Sequence, residues 1–497
     1  MSRPESSAET ERVRGLMGLS SGDGDLEEAY AAAKAAAARD PECGYLYALF
    51  LYTGTGGPID KDAARAWLER SKAYRPAAIV LEEMSRIPPE EEDRLVGLRF
   101  RAERGDAAAC RELFPIYDTG KDGDGRRAHV LKDHAEAVRL YTPCAEAGDT
   151  EAENAIGYMY VMGKGIQKDL DKAVRYLTDA YEHGCAQAAH RLAVMYDTGQ
   201  CNVDPNLDAA AMWYRRAADI GYADAQYALA GILFMEGTKY YSPAEGRGYL
   251  EQAAEKGQPE AMHQYGLMHC YGSNGFRRDA DKGRRYLEKA CEAGVQQAQV
   301  DYANMCFEGH VLPRNMALAA KWFTVAAEGF SGIAQYALGC MYGSGLHFER
   351  DDAQAARWFE EAAEGGEPNA QYALGCFYYE GRGVERDDGM AKAWFQESAN
   401  QGHPGARCFI AMFMIAGCGT DQDVESGVRA LEELVKQGHA EAQYYLGKIY
   451  WEGRYVRQDA SYARRMLDLA AKQGDPDAAD LLEEIKRSKK CSRVDAG

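Results

Sequence analysis

The sequence predicts an all-α protein, a solenoid of stacked antiparallel helix pairs. Three features that share one period predict it. A core slot near the start of a helix recurs at Leu140, Tyr176, Trp213, Tyr249, Tyr286, Trp322, Trp358, Trp394, Ala430 and Met466, with successive members 36 or 37 residues apart. Seven residues before each stands Asp133, Asp169, Asn206, Ser242, Asp279, Asn315, Asp351, Asp387, Asp423 or Asp459. Each can accept a hydrogen bond from the free amides of a helix start. Eight residues after each slot comes Gly148, Gly184, Gly221, Gly257, Gly294, Phe330, Gly366, Gly402, Gly438 or Gly474. Glycine suits the left-handed residue that ends a helix, and Phe330 is the one departure. A cap, a core residue and a stop glycine at fixed offsets define one helix, repeated.

A first helix precedes that one in every repeat. Its marker is a ladder of alanines: Ala152, Ala188, Ala225, Ala261, Ala298, Ala334, Ala370, Ala406, Ala442 and Ala478. In the clearest repeat Ala370, Leu374, Phe377 and Tyr378 fall at i, i+4, i+7 and i+8, one helical face. Gly381 and Gly383 end that helix, Val384 turns inward and Asp387 caps the next. Ala391, Trp394, Phe395, Ser398 and Ala399 give the second face. Small residues at Gly375, Ala391 and Ala399 let the two helices approach around Trp394, the expected core residue. A pair of this size holds no core alone and must stack on its neighbours.

The rest of the chain follows in order. Residues 1–24 are polar and are expected to form a disordered tail. Residues 25–38, rich in Ala and Glu, read as a lone helix that starts the stack. Cys43, Gly54, Asp60 and Trp67 reproduce the repeat offsets. A shortened repeat follows over 78–105, broken by Pro88 and Pro89, and the repeat starting near Ala109 carries an insertion at 121–127. Residues 25–149 thus form irregular N-terminal repeats, 150–475 regular ones, and 476–497 a closing helix to Lys486 with a basic tail. A chain of 497 residues would ordinarily suggest roughly three domains. A solenoid overrides that expectation, because it grows by adding repeats.

Composition excludes several classes. A net charge of −20 argues against general nucleic-acid binding, which needs a basic stripe. The basic residues of 486–490 read as a solvated helix end. No stretch approaches the ~20 apolar residues of a membrane span. The first 24 residues lack the apolar core of a secretory signal. The 13 cysteines are scattered: Cys340 and Cys376 share a slot, whereas Cys144, Cys201, Cys306 and Cys418 do not. They read as small core residues in a reducing compartment, and a cytoplasmic location is expected.

The run Ala370-Gln371-Tyr372-Ala373-Leu374-Gly375, then Tyr378, Gly381-Arg382-Gly383-Val384, Asp387, Ala391, Trp394 and Gly402, resembles the Sel-1-like repeat, a relative of the tetratricopeptide repeat. The resemblance runs from about Cys43 to Gly474. It is weakest over 75–127 and imperfect near Ala225, where Gly237 comes one residue late. It implies a right-handed superhelix of helix pairs and a role as an adaptor that holds partner proteins. Some secreted bacterial members carry a cysteine pair in each repeat, a pattern missing here.

Local motifs for chemistry are weak. The Gly163/Gly165 and Gly381/Gly383 turns follow helices rather than strands and recur in phase with the repeat, so they are structural rather than phosphate loops. Lys164 follows Gly163 without the Ser or Thr of a nucleotide-binding loop. The run 118–125 looks like a calcium loop, but Gly120 and Leu131 occupy ligand positions. His263 and His269 are six residues apart on one helix and point about 120° from each other, so they do not clasp one metal with Cys270. Nucleophile motifs of the Gly-x-Ser-x-Gly, His-Glu-x-x-His and Cys-x-x-Cys kinds are absent. Carboxylate pairs such as Glu360/Glu361 and Glu432/Glu433 read as solvated helix surface. No catalytic residue, cofactor or metal site is expected.

One surface is more suggestive. With Ala370 and Leu374 inward, positions two, six and nine after each ladder alanine point outward. They hold Tyr227, Gly231 and Phe234; His263, Leu267 and Cys270; Val300, Asn304 and Phe307; Tyr336, Cys340 and Gly343; Tyr372, Cys376 and Tyr379; Cys408, Met412 and Ile415; Tyr444, Lys448 and Trp451. Only Lys448 is charged, and contiguous exposed apolar surface marks binding sites. Tyr227, Phe234, His263, Phe307, Tyr336, Tyr372, Tyr379, Tyr444 and Trp451 are therefore the expected contacts for a protein or peptide partner. An adaptor is the favoured reading for this chain, expected to be monomeric and elongated. A hydrolase of the secreted branch and a purely architectural rod are the alternatives.

Overall fold

The structure is a computed structural model that describes residues 7–18, 23–121, 132–417 and 422–494. Among the described residues the regular elements are 27 α-helices and one short 3-10 turn, Gln200–Asn202. Consecutive helices pair antiparallel and the pairs stack, as the period predicts. Packing divides the chain into two compact units, Met1–Gln258 and Pro259–Gly497.

The cap–core–stop logic is realised almost completely. Asp133, Asp169, Asn206, Asp279, Asn315, Asp351, Asp387, Asp423 and Asp459 each accept a backbone N–H of the helix they start. Ser242 holds the same position without that bond. All ten ladder alanines are fully buried. The nine stop glycines all take left-handed φ, and Phe330 takes it too, at +63°. A side chain with a Cβ is strained there by about 1–2 kcal/mol. Its ring gains nothing in return, being 89% exposed. Phe330→Gly is accordingly expected to stabilise the C-terminal unit by about 1 kcal/mol. A lowered melting temperature would show that the ring makes a stabilising contact after all.

The deepest core slot lies one residue beyond the expected one. Trp394 is only half-buried, whereas Phe395 is fully buried. Leu177, Leu250, Leu287, Phe323, Phe359, Leu431 and Leu467 are likewise more buried than the residue before them, although Tyr176, Trp322 and Met466 are themselves buried. Leu177, Leu287, Phe359, Phe395 and Leu467 each face a glycine five positions after the ladder alanine. A Cβ built on Gly375 would stand 2.7 Å from the Phe395 ring, and one on Gly339 would stand 2.5 Å from Phe359. The Gly-x-Gly turns serve a related purpose. Gly383, at φ +64°, rests on the backbone of the previous repeat, with a Cβ position 2.0 Å from the Asp352 carbonyl oxygen. Gly165 sits likewise on His134. These turns seat one repeat on the next.

The N-terminal unit departs from expectation at its start. Ala8–Met17, placed in the expected disordered tail, forms a helix capped by Ser7. Thr10, Val13 and Met17, spaced three and four apart, are buried; Thr10 meets Asp40 and Cys43, and the helix packs on Asp23–Ala36, which is therefore not alone. Three buried positions in a polar stretch are too sparse to register as periodicity. Of the expected insertion and the calcium-like run, residues from 122 onward lie outside the described residues, as does Cys418. The closing helix, Pro476–Val494, runs past Lys486.

The shortened repeat, Arg75–Met84 and Pro89–Glu103, packs around buried charge. Arg99 is fully buried; it donates to Glu136 at 2.5 Å, to Glu83 at 3.4 Å and to the Tyr117 hydroxyl. Arg139 bridges Glu136 and Glu103, and Arg14 of the first helix joins Glu103 at 2.8 Å to Glu42 at 2.9 Å. Burial pushes the Glu103 carboxyl up, but Arg139 and Arg14 outweigh it and hold it well below the usual range. Glu136 is lowered in the same way by Arg139 and Arg99 against burial. Burial raises Glu83. A lowered carboxyl adds stability above its unfolded pKa of about 4.3, and that stability is lost as pH falls toward the folded value. The raised Glu83 acts with the opposite sign. Two lowered groups against one predict that denaturant resistance of this unit falls as pH drops below about 4. Glu103→Gln should flatten that slope in urea titrations between pH 7 and 3, and an unchanged slope would count against it.

The 11 cysteines whose side chains the structure describes are free thiols. Most are isolated in the core, but Cys110 and Cys144, both buried in neighbouring helices, stand 2.8 Å apart.

Candidate protein-binding face

The first helices are held side by side by a polar device that sequence reasoning did not single out. The residue after the ladder alanine is a buried glutamine in many repeats. Gln226, Gln299, Gln335 and Gln371 each donate to the carbonyl eight residues earlier, at the end of the preceding repeat's second helix, at 3.1–3.5 Å. Thirty residues later a polar side chain answers: Gln401 donates to Gln371 and Gln473 to Gln443, both at 2.9 Å. In the N-terminal unit Glu153 fills the slot and pairs with His183 at 2.8 Å. The signal was present as a polar residue in phase with the alanines.

Burial of this glutamine fixes which side of a first helix is exposed. The inward side is centred between the alanine and glutamine lines, so its opposite side is centred near position six and spans positions two and nine on one flank and one before, three and ten on the other. In the helix Pro368–Glu380 the centre is Cys376 and the second flank is Asn369, Ala373 and Glu380, exposed or half-exposed. Of the line expected at two, six and nine, Tyr372 and Cys376 are half-exposed and Tyr379 is exposed in the same helix.

The aromatic residues of that expected line pack sideways. In the N-terminal unit Tyr227 and Phe234 are half-buried, and the Phe234 ring lies over Gly246 of its own repeat. In the C-terminal unit His263 is buried and turns to Asp301 at 2.8 Å, so it offers no free face. Phe307 packs on Phe323 and Tyr336 on Phe359, with ring centres 6.4 and 5.7 Å apart. Tyr372 stacks on His403 at 4.5 Å and its hydroxyl donates to Glu441 at 2.9 Å, reaching two repeats onward over Gly405. Burial pushes this tyrosine far up, with the Cys376 thiol and Glu441 adding to it. Tyr379 contacts Phe409 at 5.8 Å and keeps 38% of its surface exposed. Tyr444 lies on Tyr445 at 5.2 Å, and Trp451 borders the closing cluster of Leu467, Ala478 and Leu482. Of the buried ones at these positions, Cys270 and Ile415 fill the space over Gly283 and Gly427.

The centre of the exposed face is shallow and apolar. Ala337 and Cys340, Ala373 and Cys376, then Phe409 and Met412 occupy it on three consecutive first helices, all half-exposed. Among the described residues no helix is long and apolar enough to cross a membrane, and none of their His, Cys, Asp and Glu side chains cluster as a metal site. His269 instead stands edge-on to Tyr265 at 4.6 Å.

The family described as Sel1 repeat matches residues 41–73, 108–149, 150–185, 186–222, 223–258, 259–295, 296–329, 332–367, 368–403 and 440–475. The chain belongs to the Sel1-repeat family. The match omits 74–107, the stretch that carries Arg99, and 404–439. An exopolysaccharide production negative regulator of Rhizobium leguminosarum bv. viciae is 25% identical over 36% of this Sel1-repeat chain and 55% of its own length. The human protein sel-1 homolog 2 is 26% identical over 44% of this chain and 32% of its own length. The chain thus spans about half of the first relative and a third of the second. The crystal structure of c5321, a protective antigen present in uropathogenic Escherichia coli strains, aligns over 93% of this chain and 90% of that one, with a TM-score of 0.63 and 22% identity. That likeness concerns the fold.

Proposed function

We propose that this Sel1-repeat chain is a non-catalytic adaptor that holds a partner protein or peptide on the exposed face of its first helices. The observation that carries the reading is the continuous half-exposed apolar strip through Cys340, Cys376 and Met412 on consecutive helices. A regular stack leaves such a strip unfilled by its own side chains, and an exposed apolar strip of this kind suits a partner. The flanking aromatics, Tyr336, Tyr372 and Tyr379, stiffen its walls and keep part of their rings open to a ligand. The relative named as a regulator supports a regulatory assembly role. The buried free thiols support a reducing compartment such as the cytoplasm, and the chain acts as a monomer in this reading.

The test fills the strip. Ala373→Trp places a bulky ring on the exposed face, whereas Glu360→Trp places one on an exposed second helix. Capture of native partners should be lost with the first variant and kept with the second, with helicity by circular dichroism unchanged in both. Equal capture by all three proteins would remove the face from the mechanism.

A further inference from the structure

The strip has a charged rim of one sign. Glu308, Glu380 and Glu452 stand at the same position, ten after the ladder alanine, in every second repeat of the C-terminal unit, and all three are exposed. Glu308 and Glu452 have no basic partner among the described residues, and Glu380 has a loose one in Arg382 at 3.6 Å. Asp301 and Glu441 add carboxylates from within the face, engaged with neutral or weakly basic groups: Asp301 with His263 and the Gln297 amide, Glu441 with the Tyr372 hydroxyl. Lys448 is the one cation at the described face positions of the C-terminal unit, and its ammonium lies near the Tyr444 ring, 5.8 Å from its centre. The field is felt at the floor: burial pushes the Cys376 thiol up to about 12, Tyr372 opposes this, and Glu380 and Glu441 add to the rise.

We infer that the occupant of this face is a cationic amphipathic segment, with leucine-class side chains on the Ala337–Cys340–Ala373–Cys376 floor and lysine or arginine reaching Glu308, Glu380 and Glu452. This rests on the adaptor reading and names its partner class. Complementary charge on a rim around an apolar floor sets both register and choice of partner. The small floor residues admit large side chains from the occupant rather than offering their own. First helices of successive repeats lie about 10 Å apart, so alternate acids are spaced by about 20 Å. Four turns of an α-helix cover about the same length and return lysines to one face. An occupant of opposite charge would bring its carboxylates against unneutralised ones, which disfavours binding by the same rule.

The experiment uses the full chain and two synthetic helical peptides of about 28 residues, long enough at about 1.5 Å per residue to span the three acids, one of leucine and lysine in helical pattern and one of leucine and glutamate. Fluorescence anisotropy should show saturable binding of the lysine peptide alone, weakening as salt rises. The triple variant Glu308→Gln, Glu380→Gln, Glu452→Gln should weaken it by at least about tenfold. The second-helix control Glu360→Gln, Glu364→Gln, Glu397→Gln removes the same charge and should change binding by less than about twofold. Equal losses in the two triples would mean attraction to the net charge of the chain, and would overturn the inference. Binding of the glutamate peptide, blocked by Ala373→Trp, would overturn the cationic occupant while leaving the adaptor reading standing. Failure of both peptides to bind would overturn the inference as well, leaving the partner-capture test of the adaptor reading to stand or fall by itself. Thermal melts that match wild type in both triples confirm that folding is not what changed.

Discussion

Arg99→Met is expected to unfold the N-terminal unit at a denaturant concentration well below that of the wild type, with a loss of about 3–5 kcal/mol. The size follows from what the substitution leaves behind. Arg99 is fully buried among Glu83, Glu136 and Tyr117, so its removal strands two carboxylates away from water. Arg139 still neutralises part of Glu136. Glu83 keeps only the Tyr117 hydroxyl. A second substitution tests the cause. Replacing a buried ion pair by apolar side chains of similar size is often nearly neutral. Arg99→Met with Glu83→Leu should therefore recover a substantial part of the loss. Urea unfolding followed by tyrosine fluorescence and circular dichroism measures both proteins. A single variant as stable as wild type would mean that the charges are solvated and not part of the core.

Phe395→Ala should cost a similar amount, about 3–5 kcal/mol, and should loosen more than its own repeat. The ring fills the hollow over Gly375, stacks on Phe409 of the next repeat at 4.4 Å and meets Tyr372 at 5.8 Å. Repeats in such arrays share their interfaces, so one lost side chain weakens two. Hydrogen exchange should therefore rise in Pro368–Glu380 and in Pro404–Ala416 together. Trp394→Ala, one residue earlier and half-buried, should cost less than half as much. The reverse order of the two would return the core slot to Trp394.

The contrast between these two residues shows where the sequence was legible. Caps, stops and ladder alanines act through the local backbone, and a fixed offset reveals them. The period therefore identified the helix pairs from Pro41–Thr53 onward. Whether Trp394 or Phe395 points inward depends on a rotation of some 100° about the helix axis. The hollow at Gly375 decides that, and it lies on another helix. Arg99 left no signal, since its partners Glu83 and Glu136 come from separate helices with no shared spacing. The helix Ala8–Met17 was missed because its few buried residues lie in a polar stretch. The chemistry of the face was partly readable: Cys340, Cys376 and Met412 lie on it, while His263 turned inward to Asp301.

A partner lying along the exposed face of the first helices can be caught where it sits. Site-specific photo-crosslinking in the native cell tests that placement most directly. A benzophenone side chain is placed in turn at Asn304, Ser344, Ala373 and Met412 on that face, and at Glu360, Glu397 and Glu433 on the second helices. The same discrete crosslinked protein is expected from the four face positions and none from the other three. A crosslinked partner seen from the second-helix positions but not from the face would contradict that placement.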